Sequence, residues 1–149
     1  MKALKIGSLS ITVPIIQGGM GVGVSLSGLA ASVANEGGVG VISSAGLGLL
    51  YKDFSENFLE ASILALKEEI RKAREKTLGV IGVNVLVAMT NFADMIKTSI
   101  ALINALKGNF ENGFAFAGSN AFRATKISSV KEIFQSLLKE YKERKEPDN

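Results

Sequence analysis

The residues best placed to do chemistry lie in one glycine-rich stretch, Gly18, Gly19, Met20, Gly21, Val22 and Gly23, between a short apolar run and a helical pattern. A strand-to-helix loop of this kind lets backbone amides approach an anionic ligand at the helix N-terminus. The stretch does not spell Gly-x-Gly-x-x-Gly, because position 24 is Val, and the chain has no Gly-Lys-Ser/Thr. Neither a dinucleotide nor a P-loop fingerprint is therefore met. From composition alone, tight turning and close helix packing account for these glycines more readily than a ligand does. Asn84 is the polar exception in a Val- and Ile-rich run. It either satisfies backbone groups at a strand end or contacts a ligand, with nothing to choose between them. Met20 alone reads as core, and Arg123 and Lys126 read as a solvated face or a pair at a helix start.

Missing residue types narrow the chemistry further. The 149 residues include neither Cys nor His, so zinc fingers, thiol redox motifs, cysteine nucleophiles and disulfides are excluded, and no metal site is expected. Without imidazole, Ser-His-Asp chemistry and a histidine base are also excluded. Acid–base work falls to Asp, Glu, Lys or Tyr, and no side chain is assigned as catalytic.

The elements that must position the loop follow from periodicity. Most of the sixteen glycines fall between Gly18 and Gly48, where apolar runs alternate with helical patterns, which is the punctuation of βαβ units. Residues 13–17 form a short apolar run with Pro14 near its start and read as a first strand. Ser25 or Ser27 is placed to cap a helix running to about Glu36, with Gly37 as its left-handed stop. Residues 39–43 read as a second strand. Asp53 with Glu56 resembles a capping box opening a long helix, whose apolar stripe is Leu59, Ile63, Leu66 and Ile70. Residues 79–87 then read as a strand buried on both faces. A helix over 91–107 stops at Gly108-Asn109, a short unclassified stretch follows, and Ser129 with Glu132 opens a last helix with Ile133, Phe134, Leu137, Leu138 and Tyr141 on its core face. The order β-α-β-α-β-α predicts an α/β fold with parallel strands and right-handed crossovers. The length fits one domain, 1–149.

Seventeen Lys and Arg against fourteen Asp and Glu give a formal charge of +3. The charges over 67–76 and 131–145 are of mixed sign, as on solvated helix faces, which argues against nucleic acid as a partner. The first sixteen residues lack the pattern of a secretory signal, so the default compartment is the cytoplasm. Residues 28–50 are apolar, but Asn35, Glu36, Gly37 and Gly38 interrupt them, so no membrane span is expected.

Three segments carry a family resemblance: residues 13–20 (Val-Pro-Ile-Ile-Gln-Gly-Gly-Met) with their continuation to Leu29, residues 35–43 (Asn-Glu-Gly-Gly-Val-Gly-Val-Ile-Ser), and residues 82–86 (Gly-Val-Asn-Val-Leu). Together they resemble the nitronate monooxygenase (2-nitropropane dioxygenase) family, relatives of flavin-dependent enoyl-ACP reductases that bind FMN at the C-terminal mouth of a (β/α)8 TIM barrel. Residues 101 to about 145, notably 101–108 and 113–123, resemble the C-terminal end of the same family, and nothing resembles its middle. A TIM barrel needs about 200 residues at least. The resemblance therefore implies a partial barrel of three or four strands, its N-terminal βα units in 1–100 and its C-terminal segment in 101–149, joined near Ile100 and Ala101.

By that resemblance, the cofactor is FMN. Gly18, Gly19, Met20 and Gly21 would lie against it, Asn84 would hydrogen-bond near it, and Gly118 and Ser119 would close over the site. The implied activity is oxidation of alkyl nitronates with O2, impaired in the shortened chain. The family's catalytic His lies in the missing middle and its phosphate grip in loops after the last strands. A neutral nitroalkane needs a base to remove its α-proton, whereas a preformed nitronate does not. Two alternatives remain: a non-catalytic barrel fragment that self-associates through open sheet edges as a homo-oligomer, and a relative with enoyl-ACP reductase chemistry.

Overall fold

The structure is a computed structural model that describes residues 2–51, 55–85, 104, 107–109, 111–112 and 121–145. The chain divides into two compact units, Met1–Phe116 and Ala117–Asn149.

The first unit opens with an antiparallel hairpin, β1 (Leu4–Ile6) and β2 (Leu9–Ile11), which pair Leu4 with Ile11 and Ile6 with Leu9. Gly7, at φ 58°, supplies the left-handed backbone at its turn. Then come α1 (Ser27–Asn35), β3 (Val39–Ser43), the short α2 (Leu47–Leu50), α3 (Phe58–Lys76) and β4 (Val80–Asn84). β3 and β4 pair in parallel, from Val39 with Val80 to Ser43 with Asn84. The expected first strand, residues 13–17, is not a full strand. It runs beside β3 with a single parallel bridge, Ile16 to Val39, supported by Val39 N donating to Ile15 O at 2.9 Å and Gln17 N donating to Val39 O at 3.0 Å. The ladder stops there because the backbone turns away at the glycines.

One face of this sheet packs on helices. Ala30, Ile42 and Ala73 form a fully buried core, with Leu66, Ile70 and Ile81 packed against it. Helix α1 approaches β3 so closely that a Cβ added at Gly40 would come 1.8 Å from the Ala30 carbonyl oxygen. Gly37, at φ 85°, stops α1 as the sequence implies.

Several expectations are corrected. The N-cap of α1 is Leu26, whose side chain caps nothing, rather than Ser25 or Ser27. Helix α3 starts at Phe58, where the Asn57 side chain accepts from the Leu59 and Glu60 amides, so Asn57 caps it instead of an Asp53–Glu56 box; Asp53 lies outside the described residues. Its buried face is Ala61, Ala65, Glu69 and Ala73, while Leu59 and Ile63 are exposed. Small side chains let α3 approach its neighbours; of the predicted stripe, Leu66 and Ile70 pack against the core and Leu59 and Ile63 do not. β4 is not buried on both faces: Val83, Asn84 and the following Val85 are exposed, and no strand pairs with its far edge among the described residues. The helix expected over 91–107 and the join near Ile100 lie mostly outside the described residues, although Gly108 takes the left-handed φ of 80° expected of its stop.

The second unit contains a 3-10 turn (Ala121–Arg123) and α4 (Val130–Lys145). The Ser129–Glu132 capping box forms in full: Ser129 N and Oγ both donate to Glu132 Oε2, at 2.7 and 2.8 Å, and Glu132 N donates to Ser129 Oγ at 3.2 Å. Of the expected core face only Phe134 is buried, and Ile133 and Leu137 are exposed. Arg123 pairs with Glu140 and Lys126 with Glu132, both as exposed pairs, which fits the solvated-face reading.

Candidate functional site

Parallel strands end together, so their C-terminal ends define one mouth of the sheet, the end at which α/β folds bind ligands. Gln17 and the glycine loop leave the first segment there, Ser43 and Ser44 leave β3, and Asn84 ends β4 opposite Ser43. Ser43 Oγ donates to Asn84 Oδ1 at 3.4 Å, and Ser44 N and Oγ both donate to the Asn84 carbonyl at 3.0 Å. With Oδ1 facing a donor, the Asn84 carboxamide is oriented and its Nδ2 has no acceptor among the described residues. The Gly18, Gly19 and Gly21 amides likewise meet none.

The structure separates the three glycines by cause. A Cβ at Gly19 would lie 2.5 Å from Asn84 Cβ and 3.2 Å from Val41 Cγ1, and one at Gly21 would lie 2.9 Å from Ala45 Cβ. Packing alone requires glycine at both. At Gly18 an added Cβ would meet nothing within 4 Å, and its φ is not in the left-handed region. Neither packing nor backbone explains glycine there, so the bare backbone at Gly18 is free for close approach by a ligand. Met20, expected against the cofactor, is half-buried in the same loop. Val22 is a buried, β-branched residue at φ 53°, a strained conformation held by Val22 N donating to Ala45 O at 2.8 Å. Gly118 and Ser119 lie outside the described residues.

Sequence reasoning missed the groups that hold this loop. Gln17 Nε2 donates to Ser25 Oγ and to Val41 O, both at 3.0 Å, and Val41 N donates to Gln17 Oε1 at 3.2 Å. Ser25 is fully buried; its hydroxyl accepts from Met20 N at 3.0 Å and donates to Gly18 O at 3.3 Å. A carboxamide at the last position of a strand-like run and a serine just before a helix were the available signals.

The helix that follows the loop is anchored from α3. Glu69, 2% exposed, accepts from Ser27 N at 2.7 Å with Oε2 and from the Tyr51 hydroxyl with Oε1. Lys72 Nζ donates to Tyr51 Oη at 3.2 Å and stands 3.5 Å from Glu69. A carboxylate from α3 thus replaces the missing cap of α1, where the helix dipole favours negative charge. Burial alone would push the Glu69 carboxyl up, but the hydrogen bonds from Tyr51 and Ser27, with the Lys72 charge nearby, outweigh it and hold the group below its ordinary value. Burial and the bond to Glu69 push the Tyr51 hydroxyl up. The bond to Tyr51 chiefly raises Lys72.

Among the described residues, no group of three or more acidic side chains could hold a metal ion, and no helix is long and apolar enough to cross a membrane. The family model described as nitronate monooxygenase matches residues 2–105, which include the hairpin, the glycine loop, Ser25, Glu69 and Asn84. No curated protein matches the chain.

Proposed function

We propose, from the premise that the chain belongs to the nitronate monooxygenase family, that the mouth formed by Gly18, Gly19, Met20, Gly21 and Asn84 binds FMN and serves the oxidation of alkyl nitronates with O2. The observation that carries this is the set of donors without acceptors among the described residues: the Gly18, Gly19 and Gly21 amides and Asn84 Nδ2. FMN is rich in acceptor atoms along its ring edge, and this donor set fits it. Gly18 offers bare backbone for close approach, and Asn84, oriented by Ser43, holds a donor in place. In this reading residues 101–145 represent the C-terminal end of a barrel shortened to three or four strands.

When bound, FMN supplies the electron acceptor for the substrate and the route of those electrons to O2. The chain's own part is to bind and orient. Having no His, it takes substrate as the preformed nitronate anion, which needs no α-proton removed. The test is oxygen uptake by FMN-loaded protein. Uptake with a preformed nitronate but not with the neutral nitroalkane supports the reading, and no uptake with either overturns it. NADH or NADPH oxidation in the presence of an acyl substrate would favour enoyl-ACP reductase chemistry instead.

A second reading is supported by β4, whose far edge pairs with no strand among the described residues and whose end carries the exposed Val83 and Val85. An open parallel edge is a template for another chain, and here that chain is a second copy. Light scattering that returns the mass of a single chain at all concentrations removes this reading.

A further inference from the structure

We infer that Gln17 is a positioning residue that sets the shape of the glycine loop through the Ser25 hydroxyl; this rests on the reading of that loop as the flavin site. The parallel pairing of residues 13–17 with β3 ends with Gln17 N donating to Val39 O. The next rung would use the N–H and C=O of Val41, but the main chain turns away at Gly18. The Gln17 carboxamide takes the place of that rung, accepting from Val41 N and donating to Val41 O. The chain can therefore leave the sheet early without stranding two peptide groups.

The second Nε2 hydrogen goes to Ser25 Oγ. Because Gln17 Nε2 and Met20 N both donate to that oxygen, its own proton must point to Gly18 O. Ser25 N also donates to Met20 O, and Ser43 N donates to Ser25 O. Gly18 and Met20 are thus held at three backbone atoms by one buried serine, whose hydrogen-bond direction is dictated by the carboxamide. Both Nε2 hydrogens and the Oε1 atom of Gln17 are engaged, a network of the kind that fixes one conformation. A carboxylate there would turn two donors into acceptors facing the Val41 carbonyl and the Ser25 oxygen. No Asp, Glu, Lys or Arg side chain bonds to Gln17, Ser25 or Val41 among the described residues.

The discriminating variant is Gln17→Glu, because protonation of the introduced carboxyl returns one donor. Hydrogen exchange of the Met20 and Val41 amides, followed by NMR on protein without FMN and corrected for intrinsic rates, reads the loop directly. FMN fluorescence titration of the same samples reads binding. At about pH 7 the variant should exchange at Met20 roughly tenfold faster than the unaltered protein and bind FMN about tenfold more weakly, and both defects should shrink as pH falls to about 5. The unaltered protein should show no such recovery. Exchange in Gln17→Glu that matches the unaltered protein at both pH values overturns the inference. If that variant fails to fold, Ser25→Ala must give fast Met20 exchange with Val41 still protected, and slow Met20 exchange there overturns it equally. Failure of the unaltered protein to bind FMN while the exchange pattern holds removes the flavin reading and leaves the positioning role standing.

Discussion

Replacing Glu69 should show how far the α1 N-terminus depends on α3. In Glu69→Ala the Ser27 amide loses its acceptor, at a helix whose N-cap Leu26 provides none. Loss of a cap costs about 1 kcal/mol, and loss of a partly buried charge at a helix N-terminus costs a further ~0.3–2 kcal/mol. The Tyr51 hydroxyl also loses its carboxylate partner, an interaction of about 1.5–3 kcal/mol when one member is charged. Release of Glu69 from burial offsets part of this, since an ionised group gives up hydration on folding. A net loss of about 2–4 kcal/mol follows, which lowers the melting temperature of a unit this size by roughly 10 °C or more. Glu69→Gln keeps an acceptor for Ser27 N and should lose about 1 kcal/mol. The assay is urea denaturation of the three proteins as a function of pH. Because the folded Glu69 carboxyl is held below its unfolded value, its stabilisation is complete above about pH 4.3 and disappears as pH falls through the lower folded value. The gap between the unaltered protein and Glu69→Gln should therefore narrow on acidification. Equal stability of Glu69→Ala and the unaltered protein at neutral pH, or a gap that widens in acid, would mean that Glu69 does not anchor the α1 N-terminus.

Three further substitutions separate packing from function. Gly40→Ala forces a Cβ against the Ala30 carbonyl, a backbone atom that cannot move independently, and should destabilise by about 3 kcal/mol or more in urea denaturation. Gly28→Ala sits in the first turn of α1, where a Cβ meets nothing within 4 Å, and should stabilise the fold by about 0.5–1 kcal/mol by the same measurement. Gly18→Ala should leave stability within about 0.5 kcal/mol, because that site is equally open, yet weaken FMN binding several-fold in a fluorescence titration. Equal FMN affinity would mean that no ligand approaches Gly18.

The sequence made the helices and the β3–β4 pair legible because their signals are local: continuous apolar runs for the strands, a 3.6-residue period for α3, and Gly37 at the end of α1. It also placed the glycine loop and Asn84 at the ends of strands, where the structure brings Gly19 against Asn84. What it could not reveal depends on distant partners. Glu69 lies among the charges of α3, and its burial is explained by distant partners, the Ser27 amide 42 residues away and the Tyr51 hydroxyl. Gln17 and Ser25 act through Val41 and Met20, contacts that no period encodes. The apolar stripe of α3 holds at Leu66 and Ile70, which pack against the core, and fails at Leu59 and Ile63, because small alanines fit the close approach of packed helices. The β1–β2 hairpin was missed although Gly7-Ser8 between alternating apolar residues is a hairpin signal.

Binding of FMN at the glycine loop and Asn84 can be read without any assay of turnover. The most direct measurement is the visible spectrum of the purified protein after incubation with FMN and removal of the free flavin by gel filtration, with intact mass recorded on the same sample. Flavin absorbance should elute with a chain of 15.7 kDa or its oligomer. A folded protein of that mass that elutes without any flavin band would contradict FMN binding there.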